Sequence, residues 1–325
     1  GLLWSALIIP CLGLIVLSSA GYDPFARKVV ISWLPEFVNI PVLAKQLLFL
    51  GVGLVVMLAA GSFSPQWFAR HAYLFYTLCL LALAAVLRFG TVVNGSRRWL
   101  TIAGFNFQPA EAMKFALILV LSKYFSRKPP EQGGYNLNQL IMPGIIIAIP
   151  MLFILKQPDL GTAMVLVAIG GGMILFLGVR PKPFLILTLV IIAAAYPAWN
   201  SLHDYQKRRI ITLINPESDP LGSGYHIIQS KIAIGSGGMF GKGYRKGTQT
   251  QLEFLPEHTT DFVFSVLAEE WGFFGSVILI CAYLYLIYRM LRVMLRAKEL
   301  FQMLLVLGVT IQITFHTVIN IGMVL

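Results

Sequence analysis

Three polar residues that could carry acid–base chemistry recur at intervals of four at one end of a long apolar stretch. They are Asp261, Ser265 and Glu269. In a helix they would share one face, with Glu269 about 12 Å beyond Asp261 along the axis, and Glu270 would point about 100° further round. Because an ionisable group in hydrocarbon costs several kcal/mol and normally faces a partner or water, the pattern predicts the wall of a hydrated cavity. An acid at its mouth could act as a general base.

A second charged pair, Glu111 and Lys114, follows Pro109 in another apolar stretch. Three residues apart, the two side chains would lie on one helix face, about 4.5 Å apart along the axis. They could bind a charged ligand, or they could form a structural ion pair that holds two helices together. The spacing alone leaves both interpretations open.

Two loop segments could also contribute polar groups. Asp159 lies in the short segment Gln157-Pro-Asp-Leu-Gly-Thr162 between two apolar stretches, and it is expected to cap the following helix. The glycine-rich run Gly235-Ser-Gly-Gly-Met-Phe-Gly-Lys-Gly243, with Lys231 and Lys242, could cradle a phosphate. It lacks the glycine spacing and hydroxyl of a P-loop.

The composition decides what kind of protein must position these residues. Of the 325 residues, 57% are hydrophobic and only 12% are charged, and the mean hydropathy is +0.77. Soluble domains carry about twice that charged fraction, so the chain is predicted to be a polytopic membrane protein. An all-α fold follows, since an outer-membrane barrel would show short alternating segments instead.

Nine apolar stretches are long enough, or nearly so, to cross a bilayer. The first is interpreted as a span and not a signal peptide, and a tenth span is expected beyond Leu325. Residues 1–325 would then form a single transmembrane domain, with a large polar loop at 200–260. The stretches are 2–20, 44–60, 72–88, 109–125, 139–155, 161–179, 184–199, 261–289 and 300–325.

The distribution of Lys and Arg predicts the orientation. With a cytoplasmic amino terminus, the inner loops carry more basic residues than the short outer ones, as the positive-inside rule requires. The inner loops would be 61–70, 122–138, 180–183 and 289–299. The long loop and Asp261 would therefore face outward.

Several chemistries are excluded by what the sequence lacks. The histidines are scattered without metal-ligand spacing, and no Gly-x-Ser-x-Gly elbow occurs. What remains is a set of carboxylates and cations on the outer side, where no ATP is present. A sugar on a lipid pyrophosphate would arrive already activated. A carboxylate could then deprotonate the acceptor while Lys, Arg or a divalent cation neutralises the departing pyrophosphate.

Motifs in a fixed order run through the chain. They are Asn94-Gly-Ser-Arg-Arg-Trp-Leu100, Phe107-Gln-Pro-Ala-Glu111, Gln157-Pro-Asp-Leu-Gly-Thr162, Asp204-Tyr-Gln206, Asn215-Pro-Glu-Ser-Asp-Pro-Leu-Gly222, Gly224-Tyr-His-Ile-Ile-Gln-Ser230, Gly247-Thr-Gln249 and Leu255-Pro-Glu-His-Thr-Thr-Asp-Phe262. In content and order they resemble the SEDS proteins (shape, elongation, division and sporulation) over essentially the whole chain. The run Ser230-Lys-Ile-Ala-Ile-Gly235 and the Gly247-Thr-Gln run are closer to the elongation members than to the division members.

The resemblance implies a ten-span, multi-pass enzyme of the bacterial cytoplasmic (inner) membrane. Such an enzyme polymerises lipid II into peptidoglycan, releases undecaprenyl pyrophosphate, and works with a class B penicillin-binding protein and other elongation proteins. No nucleic-acid partner is expected. The family's essential outer-loop aspartate corresponds to Asp261, its glutamate and lysine to Glu111 and Lys114, and the aspartate of its Pro-Asp-Leu-Gly motif to Asp159.

Two positions depart from the pattern of the family. Thr259 stands where relatives often have a histidine, and Asn106 stands where some have an arginine. A histidine at position 259 is therefore not expected to be the base in this chain. At position 106, one candidate arginine contact to pyrophosphate is absent.

The mechanism expected from the resemblance is a single displacement with inversion. Asp261 would deprotonate the acceptor 4-hydroxyl, while Glu111 would position Lys114 or help to bind Mg²⁺ or Mn²⁺, with Asp261 as the other candidate ligand. Further residues are expected to bind substrate, and no organic cofactor is required. The cationic candidates are Lys114, Arg97, Arg98 and Lys231, and the others are Asp159, Glu257 and Thr260.

Two other functions stay open. A flippase for lipid-linked precursors would also carry charged residues in a membrane cavity, but it needs a polar path to the inner side. The inner half of the fourth stretch is apolar at Leu117-Ile-Leu-Val120, which favours an enzyme. A pure scaffold would leave the intramembrane charges unexplained.

Overall fold

The computed structural model describes residues 2–22, 41–93, 96–102, 105–130, 132–201, 204–220, 222–252, 254–255 and 259–325. Within them the chain is mostly helical. The helices are α1 (Leu2–Ala20), α2 (Pro41–Gly61), α3 (Pro65–Phe89), α4 (Pro109–Arg127), α5 (Leu137–Lys156), α6 (Leu160–Leu177), α7 (Pro181–Ser201), α8 (Asp204–Ile214), α9 (Ser223–Ser236), α10 (Thr248–Gln251), α11 (Val263–Leu295) and α12 (Leu300–Val324). The strands are β1 (Thr91–Val93), β2 (Ser96–Ile102) and β3 (Phe105–Phe107).

Seven of the described helices are long and apolar enough to cross a membrane. They are α1, α2, α3, α5, α6, α11 and α12, and each coincides with a predicted span. The predicted spans at 109–125 and 184–199 coincide with α4 and α7. The all-α prediction is therefore confirmed, apart from a small antiparallel sheet between α3 and α4. The polar stretch after α7 contains α8, α9 and α10.

The chain divides into two compact units. Unit 1 comprises Gly1–Ser62, Tyr196–Arg289 and Thr317–Leu325, and unit 2 comprises Phe63–Ala195 and Met290–His316. The assignment of residues 1–325 to one transmembrane domain stays a prediction.

The core of unit 2 is built around α4. Almost every residue of this helix from Met113 to Lys123 is buried, and its apolar side chains pack with those of α5 and α6. Burial of nearly every residue along this stretch shows that other helices surround α4. This central position explains why Lys114 is enclosed by protein.

A proline in α5 creates a bond that ties two helices together. Pro150 has no N–H, so the carbonyl of Ile146 lacks its helical donor. The hydroxyl of Tyr76 on α3 donates to that carbonyl at 2.8 Å. The two helices are thus joined within unit 2.

The connection between α4 and α5 is fixed by Tyr135. Its hydroxyl donates to the carbonyl of Lys128 at 2.7 Å, and its N–H donates to the carbonyl of Gly178 at 3.0 Å. Burial, with a smaller contribution from Tyr124, raises the pKa of Tyr135 to about 12. The phenol therefore remains a donor across the physiological pH range.

In unit 1, α11 packs against α1 through Val16, Ala20, Val266 and Leu267. Its first turn also packs with the end of α12 through Phe264 and Val324. The helical path of α11 is interrupted at Gly272, which has φ 66° and ψ −159°. That conformation is open to glycine and strained for other residues.

Candidate active site

Asp261 precedes α11 by two residues and is exposed. Its backbone carbonyl accepts a hydrogen bond from Asn320 at 3.3 Å. Its carboxylate has no hydrogen-bond or ion-pair partner within the described part of the chain. An exposed, unpaired carboxylate keeps its lone pairs free for a ligand or a proton.

The rest of the acidic face differs from the prediction. Ser265 and Glu269 are both fully buried. The hydroxyl of Ser265 contacts that of Ser230 at 2.7 Å, and Ser230 in turn donates to the carbonyl of Val324 at 2.7 Å. The predicted wall of a hydrated cavity was therefore wrong beyond Asp261, because α9, α10 and the segment between them cover this face.

Glu269 is the centre of a buried hydrogen-bond network. One oxygen accepts from the ammonium of Lys242 at 2.8 Å and from the N–H of Gln249 at 2.9 Å. The other accepts from the hydroxyl of Thr250 at 3.1 Å. A buried carboxylate that receives this many donors orders the segment that supplies them.

Glu270 is also buried, at 1% exposure, and contacts a different element. One of its oxygens accepts from the hydroxyl of Ser19 on α1 at 2.5 Å and from the N–H of Arg245 at 3.1 Å. The two neighbouring glutamates thus both bind the segment of residues 242–250, Glu269 near its two ends and Glu270 at Arg245.

Three amides of the glycine-rich run are used by the protein itself. The N–H groups of Gly241, Lys242 and Gly243 donate to the carbonyls of Gly237, Glu269 and Glu270, at 2.8, 3.0 and 2.9 Å. These three donors are therefore not available to a ligand, and phosphate binding by the run stays a prediction.

In unit 2 the predicted pair of Glu111 and Lys114 is confirmed. The ammonium of Lys114 lies 2.7 Å from a carboxylate oxygen of Glu111. The lysine side chain is 2% exposed, whereas that of the glutamate is 57% exposed. The lysine charge is thus held inside the protein by an acid that reaches the surface.

His316 on α12 is a third member of this group, and the sequence analysis did not select it. Its Nε2 lies 3.1 Å from the Lys114 ammonium. Because an ammonium can only donate, Nε2 accepts and the ring proton is on Nδ1. A lone histidine in an apolar stretch was the available signal, but it did not indicate a partner 202 residues away.

The segment between α5 and α6 is held by β2. Asp159 caps α6 as predicted, accepting from the N–H of Thr162 at 3.2 Å. Arg98 donates to the carbonyls of Gln157 and Pro158 at 3.3 and 2.5 Å and lies 4.0 Å from Asp159. Two donors of the Arg98 guanidinium are thus bonded to backbone carbonyls of this segment.

Three of the other predicted site residues, Arg97, Lys231 and Thr260, are exposed, and Glu257 lies outside the described residues. Asn106 is exposed and accepts from Thr101 at 2.9 Å. Asp261 belongs to unit 1, whereas Glu111 and Lys114 belong to unit 2. Their approach to one another stays a prediction.

The side chains that could bind a metal are few. Within the described ranges, no three His, Cys, Asp or Glu side chains form a group that could hold an ion. Asp261 offers a free carboxylate, which suits Mg²⁺ because this ion usually takes one or two carboxylates and completes its shell with water and substrate phosphates. A dedicated protein cage is not required for that mode of binding.

The comparison with protein families gives one match over nearly the full length. The FTSW_RODA_SPOVE family, described as "Cell cycle protein", matches residues 2–325. Among curated proteins, the peptidoglycan glycosyltransferase MrdB of Escherichia coli (strain K12) is 40% identical over 299 residues, covering 91% of this chain and 79% of MrdB.

Solved structures show the same similarity. A chain of a peptidoglycan synthase complex, in work on the structural coordination of polymerization and crosslinking, has a TM-score of 0.81 and 29% identity, covering 100% of this chain and 86% of that chain. The rod shape determining protein RodA of Thermus thermophilus has a TM-score of 0.68 and 28% identity, covering 99% and 83%.

Proposed function

The chain belongs to the FtsW, RodA and SpoVE family, and from that premise we propose that it is a peptidoglycan glycosyltransferase of the RodA type. The 40% identity to the glycosyltransferase MrdB over 91% of the chain carries the proposal. The carboxylate of Asp261, which is exposed and has no partner within the described ranges, supplies a group that the chemistry needs.

In this proposal, Asp261 is the general base. It takes the proton from the 4-hydroxyl of the acceptor glucosamine, and the acceptor oxygen attacks the anomeric carbon of the donor lipid II. The bond to undecaprenyl pyrophosphate breaks in the same step, with inversion. An unpaired carboxylate can approach the hydroxyl without first losing a protein partner.

Lys114 is the proposed partner of the departing pyrophosphate. Its ammonium is buried, and its position is fixed by Glu111 and His316. A preorganised charge in a water-poor site stabilises developing negative charge better than a solvated one. Arg97 and Lys231 are exposed and could attract the anionic substrate, whereas Arg98 is more suited to fixing the α5–α6 segment.

A divalent cation could assist the proposed reaction. Asp261, with Glu111 as the second candidate, would hold Mg²⁺ or Mn²⁺ together with substrate oxygens and water. When bound, the ion would supply positive charge at the leaving pyrophosphate. Glu257 and Thr260, which precede Asp261 by four residues and by one, stay candidates for binding the sugar.

The proposed setting is the bacterial cytoplasmic (inner) membrane. The protein would have ten transmembrane helices, with residues 200–260 in an extracytoplasmic loop. A class B penicillin-binding protein and other elongation proteins are the proposed partners. The similarity to a chain of a peptidoglycan synthase complex supports a crosslinking partner.

A flippase without chemistry is the competing function. It would need polar groups that continue toward the inner side. Along α4, however, the residues from Ala116 to Leu121 are all apolar and buried. The described course of this helix therefore favours an enzyme.

Reconstitution with lipid II tests the proposal. We would incubate the purified chain with lipid II, with and without Mg²⁺ or Mn²⁺, and compare it with Asp261→Asn by glycan-ladder gel. The variant should lose about 10²- to 10⁴-fold in rate, the range of general base catalysis. Glu217→Gln, which removes another exposed carboxylate of unit 1, is the matched control and should retain activity.

Two results would contradict parts of the proposal. Full polymerase activity in Asp261→Asn would exclude this residue as the base. If the folded protein gives no polymer, the same sample is tested with a class B penicillin-binding protein and then for lipid translocation. Translocation without polymer under both conditions would establish the flippase.

A further inference from the structure

A cavity of about 580 Å³ lies at one end of α4 in unit 2, away from Glu111 and Lys114. It is lined by Tyr73, Tyr124, Arg127, Lys128, Met142 and Ile146. One part of the lining is cationic and aromatic, and the other part is apolar. From this combination we infer that the cavity binds the phosphodiester headgroup and upper acyl chains of an anionic phospholipid.

The cations at this end of α4 are not neutralised by the described residues. Lys123, Arg127 and Lys128 lie within two turns of one another. The side chains of Arg127 and Lys128 are exposed and make no hydrogen bond or ion pair within the described part of the chain. Glu131, the nearest acid in sequence, lies outside it. Closely spaced like charges repel each other unless an anion binds.

The local structure restricts two of these three cations, Lys123 and Lys128. The ammonium of Lys123 is buried, donates to the carbonyl of Arg70 at 3.1 Å and lies 4.6 Å from the centroid of the Tyr73 ring. The ammonium of Lys128 lies 5.5 Å from the centroid of the Tyr124 ring. The backbone carbonyl of Lys128 accepts a hydrogen bond from the hydroxyl of Tyr135 at 2.7 Å. A headgroup would therefore meet charges that are already positioned.

The lining matches the chemical gradient at a membrane surface. Tyrosines and long basic side chains are enriched where headgroups meet hydrocarbon. Met142 is exposed and Ile146 is buried, and both belong to α5, one of the helices apolar enough to span. The phosphate of a lipid would contact Arg127 and Lys128, while its chains would pass along Met142.

The predicted orientation places this site in the cytoplasmic leaflet. Residues 122–138 belong to a predicted inner loop, and anionic lipids are abundant on that side of membranes. Asp261 is predicted on the opposite side. The inferred lipid site is thus separate from the proposed chemistry and does not depend on it.

Native mass spectrometry of the full chain tests the inference. Delipidated protein in detergent would be titrated with dioleoylphosphatidylglycerol, and bound lipids would be counted. Each cation of the lining that contacts the headgroup contributes about fivefold in affinity, so the double variant Arg127→Gln/Lys128→Gln should bind this lipid about thirtyfold more weakly. Lys182→Gln, an exposed cation at another helix end of unit 2, is the matched control and should bind like the parent protein.

Two further arms identify the ligand. Met142→Trp, which fills the apolar part and leaves the charges intact, should also weaken binding. Dioleoylphosphatidylcholine and inorganic phosphate should compete poorly. Equal binding by the double variant and the parent protein would overturn the inference. Unchanged binding by Met142→Trp would exclude acyl chains from the cavity, and strong competition by phosphate would show a site for the free anion instead of a lipid.

Discussion

The residues with the clearest chemical roles have opposite environments. Asp261 is exposed, and its carboxylate has no partner among the residues that the structure describes, as suits a base that must meet a mobile hydroxyl. Lys114 is buried and held by two partners, as suits a fixed charge. An ammonium is costly to bury without hydrogen-bond partners, and Glu111 and His316 supply such partners to Lys114.

The contact between His316 and Lys114 gives a prediction about rate. Replacing His316 with Leu removes the acceptor, and loss of a hydrogen bond to a charged group costs about 1.5–3 kcal/mol. We therefore expect kcat for lipid II polymerisation to fall at least tenfold while KM changes little. His316→Gln can restore an acceptor and should recover much of the loss.

His71→Leu provides the control for this experiment. His71 bonds its own helix at the carbonyl of Trp67, so the same substitution there leaves Lys114 untouched. Equal losses in the two Leu variants, or no rescue by Gln, would show that His316 does not position Lys114. The readout is steady-state polymerisation at several lipid II concentrations.

Local sequence spacing predicted the contacts between residues within one helical turn of each other. The pairing of Glu111 with Lys114 depends on three residues of helix, and the cap at Asp159 depends on the next turn. His316 was missed because its contact to Lys114 requires α12 to pack beside α4. No spacing rule reports on a pair 202 residues apart.

At the scale of elements, the conformation of residues 242–250 depends on their hydrogen bonds to α11. The helix period correctly placed Ser265 and Glu269 one turn apart in α11, whereas Asp261 lies in the turn before this helix. The period could not show that α9 and residues 242–250 cover the face of Ser265 and Glu269, since the covering groups lie 19 to 35 residues away in sequence. A buried carboxylate whose partners are distant in sequence and a solvent-exposed carboxylate have the same local sequence pattern, so the pattern cannot distinguish them.

Glu269→Gln should loosen this segment. The substitution removes the charge that pairs with Lys242 and turns an amide N–H₂ toward groups that are themselves donors. Breaking a buried ion pair from one side costs about 3–5 kcal/mol. We expect faster amide hydrogen exchange in residues 242–250, measured by mass spectrometry, and a lower Tm. Exchange rates equal to those of the parent protein would show that Glu269 does not order the segment.

A pair of glycines tests the close contact between the same elements. Gly241 has φ +80°, and a Cβ there would collide with the carbonyl of Glu270, whereas a Cβ at Gly235 would meet nothing within 4 Å. Gly241→Ala should therefore lower thermal stability and yield of folded protein markedly. Gly235→Ala should be neutral or stabilising, since helix interiors favour Ala over Gly by about 1 kcal/mol. Similar losses in both would contradict the described packing.

At the scale of the whole molecule, composition predicted the class and most of the spans. Apolar length is a property of the chain itself, so seven predicted stretches recur as helices that could cross a membrane. The division into two units depends on which distant helices associate, and no sequence period carries that information. The chemistry proposed for Asp261 depends on one further global property, the orientation of the chain.

Cysteine labelling tests that orientation. In a chain with Cys11, Cys79 and Cys281 replaced by Ala, a cysteine at Ser218 should react with a membrane-impermeant maleimide on intact spheroplasts, and a cysteine at Lys298 should react only after lysis. Ser218 lies in the predicted outer loop and Lys298 in a predicted inner one, and both are exposed. The reverse pattern would place Asp261 in the cytoplasm and the cationic cavity of α4 outside. An outward-facing transferase and a lipid site in the inner leaflet would then both be excluded.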